Sequence, residues 1–174
     1  MVAASVFWIV FRFIHVFSAI LWVGSAFAVF VFVEPTVAAF GPDGGKFVGY
    51  MVEKRKLPVV ITSLSGLTVL GGIVLYLETS SGFDPDWITS GPGLGFTIGA
   101  VAALAAFLLG LLQIRPTVNK MSALGAEIQS AGGPPQPEQL AAMQRLTEHF
   151  RALGRRDLVL ILIAAATMAT ARYW

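Results

Sequence analysis

Residues 5–33 read SVFWIVFRFIHVFSAILWVGSAFAVFVFV, an apolar run whose one charged side chain is Arg12. A bilayer core of ~30 Å requires about 20 apolar residues in a helix, because each residue adds ~1.5 Å. The run is longer than the apolar core of a signal peptide, which is about 7–15 residues, and it has no basic leader. It therefore predicts a retained transmembrane helix.

The rest of the chain repeats this pattern. Of its 174 residues, 56% are apolar and 13% are charged, and further apolar runs occupy about 57–77, 94–114 and 157–173. We predict an all-α protein, an integral membrane four-helix bundle in which residues 1–174 form a single transmembrane domain. The chain has no cysteine, which excludes disulfides, thiolate metal sites and covalently attached c-type haem. No basic cluster is interleaved with aromatic residues, so we expect no nucleic-acid partner.

The positions of the basic residues predict the orientation. Lys and Arg are concentrated between the first and second runs and between the third and fourth, whereas the connection at 78–93 is acidic and rich in Gly, Pro and Ser. Basic connections stay on the cytoplasmic side. We predict a multi-pass protein of the inner (plasma) membrane with both termini and the 78–93 loop outside. An outer aromatic belt would consist of Trp8, Trp87, Tyr173 and Trp174.

Two further patterns concern the connections. Glu34-Pro35-Thr36-Val37 follows the first run and Arg115-Pro116-Thr117-Val118 follows the third. If this echo marks a repeat, the chain consists of two helical hairpins related by a pseudo-twofold axis, and Glu34 and Arg115 could pair; otherwise it reflects how often Pro follows a helix end. Residues 137–153 have the spacing of an amphipathic helix, either on the cytoplasmic surface, the commoner arrangement, or extending the fourth span inward.

The first run carries the polar residues of most interest. Arg12, His15, Ser18, Trp22 and Ser25 recur at intervals of three and four, so they share one face of the helix. Buried polar groups are costly in lipid, and this face should look into the bundle or a cavity. His15 is a candidate ligand for haem b iron or copper, or a proton carrier, with Arg12 near a haem propionate. The alternative is a neutral core histidine that is hydrogen-bonded to a neighbouring span.

For the second haem ligand the sequence offers several candidates. The other histidine, His149, is predicted on the cytoplasmic side, far from His15. The candidates are no second ligand, Met168 in the fourth span, or His15 of a second copy. Small residues such as Gly71, Gly72 and Gly99 predict close helix packing and would also suit a homodimer. We expect no intramembrane Asp or Glu, which argues against an ion-driven carrier.

His15, six residues, Trp22, one residue and Gly24 form a motif that resembles the first helix of a superfamily of small membrane proteins. This superfamily includes the copper-resistance D membrane domain and the bacterial membrane protoporphyrinogen oxidase. Leu67–Gly72 resembles its glycine-containing second helix, and 168–173 resembles the end of its uncharacterised members. The resemblance implies haem b at His15. In the oxidase a third-helix Lys is also functional, and this chain has none between Phe96 and Gln113. That departure speaks against porphyrinogen oxidation and leaves haem binding open.

The sequence therefore favours a haem-b-binding membrane protein, an electron-transfer or oxidoreductase component with a redox partner. His15 would be the axial ligand, Arg12 would lie near a propionate and Trp22 would line the pocket. The alternative is a cofactor-free membrane protein that serves copper or small-molecule passage, or a scaffold.

Overall fold

The computed structural model describes residues 2–174, and it is helical with no strand in that range. Helix α1 comprises Val2–Ala28, a π-helical turn at Val29–Val33, and Glu34–Ala39. It is followed by α2 (Pro42–Glu53), α3 (Leu57–Thr79) and the short α4 (Pro85–Thr89), which lies within the predicted 78–93 loop. Helix α5 comprises Gly91–Leu109, a π-helical turn at Gly110–Ile114, and Arg115–Ser130. Helix α6 (Pro137–Thr170) ends in a 3₁₀ turn at Ala171–Tyr173.

Three helices are long and apolar enough to cross a membrane, namely Val6–Ala39, Leu57–Thr79 and Gly91–Ser130. The apolar half of α6 differs from them because Arg155, Arg156 and Asp157 lie at its beginning. Large apolar side chains face outward on α1, where Phe13 is 64% exposed and Ile20 is 63% exposed. In water such a surface would be unfavourable, whereas lipid solvates it.

The long helices pack through small residues. Helix α1 packs along α3, and α5 packs along α6. At Gly95 an added Cβ would lie 2.9 Å from Ala171, and at Gly99 it would lie 2.6 Å from the Met168 side chain. The absence of a side chain at these glycines therefore allows the helices to approach closely, as the sequence predicted. A core of Trp22, Ala26, Ala106 and Ile161 joins α1, α5 and α6.

The π-helical turns stand directly before the two echoed motifs. The Glu34 N–H donates to Val29 O and the Arg115 N–H donates to Gly110 O, each one residue further back than in an α-helix. A proline follows immediately, and proline has no N–H and clashes with the carbonyl four residues earlier. The wider turn accommodates that proline, and both helices continue beyond it. The echoed prolines therefore lie inside α1 and α5, where the alternative explanation placed them at helix ends.

The amphipathic segment 137–153 is continuous with the fourth apolar run in α6. The helix begins with a capping box, in which the Gln136 and Gln139 side chains and backbone N–H groups bond reciprocally. Between the amphipathic and apolar parts there is no proline, and the single glycine, Gly154, is buried and does not interrupt the helix. The segment is therefore not a separate surface helix, the commoner arrangement expected from the sequence, but the first part of the helix that carries the fourth apolar run.

The predicted pairing of Glu34 with Arg115 was wrong. Glu34 accepts a hydrogen bond from Arg151 Nε and forms an ion pair with it. Arg115 instead lines an open cleft with Glu53 and Lys56, between the end of α2 and the third segment of α5. Glu34 and Arg115 occupy equivalent positions in the sequence echo. The packing of α1 against α6, however, brings Arg151 to Glu34.

Candidate functional site

The His15 imidazole lies in the contact between α1 and α3. His15 Nδ1 is 2.7 Å from the backbone carbonyl oxygen of Thr68. A carbonyl oxygen can only accept a hydrogen bond, so Nδ1 carries the proton and donates it. In a neutral imidazole the other nitrogen, Nε2, then keeps its lone pair. The structure therefore fixes the tautomer and leaves one nitrogen able to bind a metal.

Two glycines make room for this imidazole. A Cβ added at Gly72 would lie 2.9 Å from His15 Cε1 and 3.1 Å from Nδ1, so the ring rests on the bare backbone of α3. A Cβ at Gly71 would lie 3.2 Å from His15 Cβ. Any larger residue at either position would push the imidazole or the helix away. The absence of side chains at Gly71 and Gly72 therefore leaves the space that His15 occupies against α3.

A small polar network holds the same stretch of the two helices together. The Thr68 hydroxyl lies 3.0 Å from Ser18 Oγ and 2.8 Å from the Leu64 carbonyl oxygen. Ser18 donates to Ile14 O at 2.6 Å. Both hydroxyl residues are buried, and both have partners. Thr68 therefore contacts α1 twice, through its carbonyl at His15 and through its side chain at Ser18, which restricts rotation of α1 against α3.

The other predicted cofactor contacts are distributed around His15 without contacting it. Arg12, one turn toward the N-terminus, is exposed on α1. Trp22 is 5% exposed and belongs to the core with Ala26, Ala106 and Ile161. Met168 lies against Gly99 of α5. No described contact joins Trp22 or Met168 to the imidazole, and their roles as cofactor contacts remain predictions.

His149 lies far from His15 in the fold. It is exposed in the N-terminal half of α6, two residues from Arg151, which pairs with Glu34. Helix α1 separates Glu34 from His15 by roughly 28 Å at ~1.5 Å per residue. Two histidines of one chain therefore cannot hold opposite faces of one haem. Among residues 2–174, no group of three or more His, Cys, Asp or Glu side chains could hold a metal ion.

Asp157 is the polar residue that the sequence analysis missed. It is 5% exposed, and its Oδ1 has no hydrogen-bond partner among the described residues. Asp157 faces inward where α6 becomes apolar, at the first residue of the predicted fourth run 157–173. Its burial follows from the single continuous helix, because Asp157 lies three residues after Gly154 and four before Ile161, which are both buried.

The site can supply one oriented imidazole nitrogen. A histidine whose Nδ1–H is held by a carbonyl has the arrangement of metal-binding histidines, in which this bond fixes the ring and raises ligand basicity. A packing histidine between two helices makes the same bond, as the alternative interpretation expected. What distinguishes the two is whether Nε2 acquires a partner.

Comparisons with family models, with curated proteins and with solved structures give no match for this chain.

Proposed function

We propose that this chain is a multi-pass membrane protein in which the apolar half of α6 is a fourth span, completing a four-helix bundle. The outward-facing apolar side chains of α1 and the three apolar helices support this proposal. The two π-helical turns before equivalent Pro-Thr-Val sequences favour two hairpins with pseudo-twofold symmetry. Both termini would lie outside a plasma membrane. A cytoplasmic reporter that is silent at Trp174 and active within 121–135 would agree, and the reverse pattern would contradict the orientation.

Within this bundle we propose a haem b site at His15. The observation that carries it is the hydrogen bond between His15 Nδ1 and Thr68 O, because in a neutral imidazole it leaves Nε2 with its lone pair, and the ring is held on Gly72. Arg12, exposed one turn away, would neutralise a propionate. Trp22 and Met168 remain the further predicted contacts. When bound, the haem would supply one-electron transfer.

Among the described residues, no contact joins either His149 or Met168 to the His15 imidazole as a second axial ligand. We propose a homodimer in which His15 of a second copy provides it, which would use the partly exposed surface of α1 beside His15. A single-ligand site is the other arrangement, and the number of haems per protein chain separates the two. One haem per two chains would support the shared site.

The test is a haemin titration of purified protein in mild detergent, followed by its Soret absorbance. Wild-type protein should saturate at a fixed ratio, and His15→Ala should bind no haemin at that ratio. His149→Ala is the matched control, since it removes an exposed histidine and should titrate like wild type. If His15→Ala gives the wild-type titration, the haem site is elsewhere or absent. A wild-type protein that gives no saturable change in the Soret band would favour the cofactor-free alternative.

A further inference from the structure

Asp157 occupies the inward face of α6, and among residues 2–174 its Oδ1 has no hydrogen-bond partner. It is 5% exposed, its Oδ1 is fully enclosed and unbonded, and buried Gly154 and Ile161 flank it on the same face. A carboxylate in such a place retains its charge only if a cation or several donors compensate it. A compensating cation or set of donors for Asp157 would have to come from the helices packed around it.

Each charged side chain near Asp157 is either paired with another residue or exposed. On α6 itself Arg151 is paired with Glu34 of α1, and Arg155 and Arg156 are exposed. On α5 the first charged residue is Arg115, which is exposed and lines the cleft at the end of α2. None of these residues forms an ion pair with Asp157. The geometry therefore offers no counter-charge, which favours the neutral acid, and a neutral acid brings an O–H donor.

Acceptors for that donor exist in the two π-helical turns, against which α6 packs. The Arg115 N–H bonds to Gly110 O, so Leu111 O loses the donor that it would have in an α-helix. Leu112 O also lacks its α-helical donor, because Pro116 has no N–H. The same argument leaves Phe30 O and Val31 O of α1 without α-helical donors, because Glu34 N–H bonds to Val29 O and Pro35 follows.

The first of these turns packs against α6 one turn before Asp157. The Phe30 ring lies on Gly154, where an added Cβ would overlap it. Phe30 belongs to the π-helical turn of α1. Helix α6 thus carries a carboxyl group without a hydrogen-bond partner one turn away from its contact with a helical turn whose carbonyl groups have lost their α-helical donors.

We infer that Asp157 is a proton-binding site, in which the carboxylic acid donates a hydrogen bond to a backbone carbonyl of a π-helical turn. Binding is simple protonation of the carboxylate, and release returns the proton to water on the side of Arg155 and Arg156. The inference goes beyond the haem proposal and holds whether or not haem is bound.

Infrared spectroscopy of the full chain in lipid tests this directly, because a protonated carboxyl absorbs at higher frequency than a carboxylate and shifts down in D₂O. The wild-type protein near neutral pH should show such a band, and isotope labelling of aspartate should move it. Asp157→Asn, which matches the acid in shape, should remove it. Asp86→Asn, at an exposed acid in α4, is the matched control and should keep it.

Absence of the band in wild type near neutral pH would overturn the proposal, and this result needs no variant. A band that survives Asp157→Asn would assign it to another residue. A band that is absent in sodium and appears when choline replaces sodium would identify a metal cation as the occupant and also overturn the assignment to a proton.

Discussion

Replacing Gly72 by alanine should displace His15. The new methyl group would lie 2.9 Å from His15 Cε1 and 3.1 Å from Nδ1, so the ring has to move by about half an ångström to reach ordinary contact. The same ring is held by the 2.7 Å hydrogen bond to Thr68 O. Relief of the clash therefore weakens the bond that fixes the tautomer.

The magnitude follows from three terms. Overpacking costs about 1–3 kcal/mol, and losing an interhelical hydrogen bond in a membrane protein costs about 0.6–1.7 kcal/mol. Alanine returns up to about 1 kcal/mol because it is a better helix former than glycine. Gly66→Ala, on the same helix, should gain only the helix-propensity contribution, since nothing lies within 4 Å of its added Cβ. The helix-propensity term cancels between the two variants, which should differ by about 2–5 kcal/mol in the free energy of unfolding.

The assay is reversible denaturation in mixed micelles, with haemin affinity measured on the same samples. Gly72→Ala should be less stable than wild type and bind haemin more weakly. Gly66→Ala should be at least as stable as wild type with unchanged affinity. Equal stability of the two variants would refute the contact between α3 and the imidazole. Loss of stability with unchanged haemin affinity would separate the packing role of His15 from the proposed ligand role.

Two further predictions concern the contact between α1 and α6. A double-mutant cycle of Glu34→Gln and Arg151→Gln should give a coupling of at most about 1 kcal/mol, because Arg151 is 39% exposed; the same cycle with Arg115→Gln should give none, and a coupling there would restore the pairing expected from the sequence. Gly154→Val should destabilise the protein by more than about 1–3 kcal/mol, since its side chain would overlap the Phe30 ring. Phe30→Ala should recover part of that loss, and failure to recover any would place the clash elsewhere.

Much of the fold was predictable because lipid imposes a simple requirement on sequence. The apolar runs at 5–33, 57–77 and 94–114 lie within α1, α3 and α5. Their ends were not predictable, because α1 and α5 continue through Pro35 and Pro116. A π-helical turn has no residue pattern of its own, and proline alone indicates a break.

The candidate site was predictable in part. The spacing of Ser18 and Trp22 predicted the buried face of α1, and both are buried. The partner of His15 was not predictable, since a backbone carbonyl leaves no mark on the sequence. Gly72 was recognised as a packing residue, but only the structure shows that it faces the imidazole.

The burial of Asp157 was not predictable from the sequence, for a different reason. It follows Arg155 and Arg156, and such a charged group at a span boundary ordinarily lies in the headgroup region. The continuous α6 rotates Asp157 toward the core together with Gly154 and Ile161, while the two arginines remain exposed. Without knowing that 137–170 is one helix, the sequence could not assign that rotation.

The central claim, that His15 Nε2 binds haem iron, is tested most directly by chemical rescue. Purified His15→Gly protein would be given haemin with and without free imidazole, freed of unbound haemin by gel filtration, and its dithionite-reduced spectrum compared with that of wild type. We expect no protein-bound b-type spectrum without imidazole and its return with imidazole. A b-type spectrum in His15→Gly without imidazole, or a wild-type protein that shows none, would contradict it.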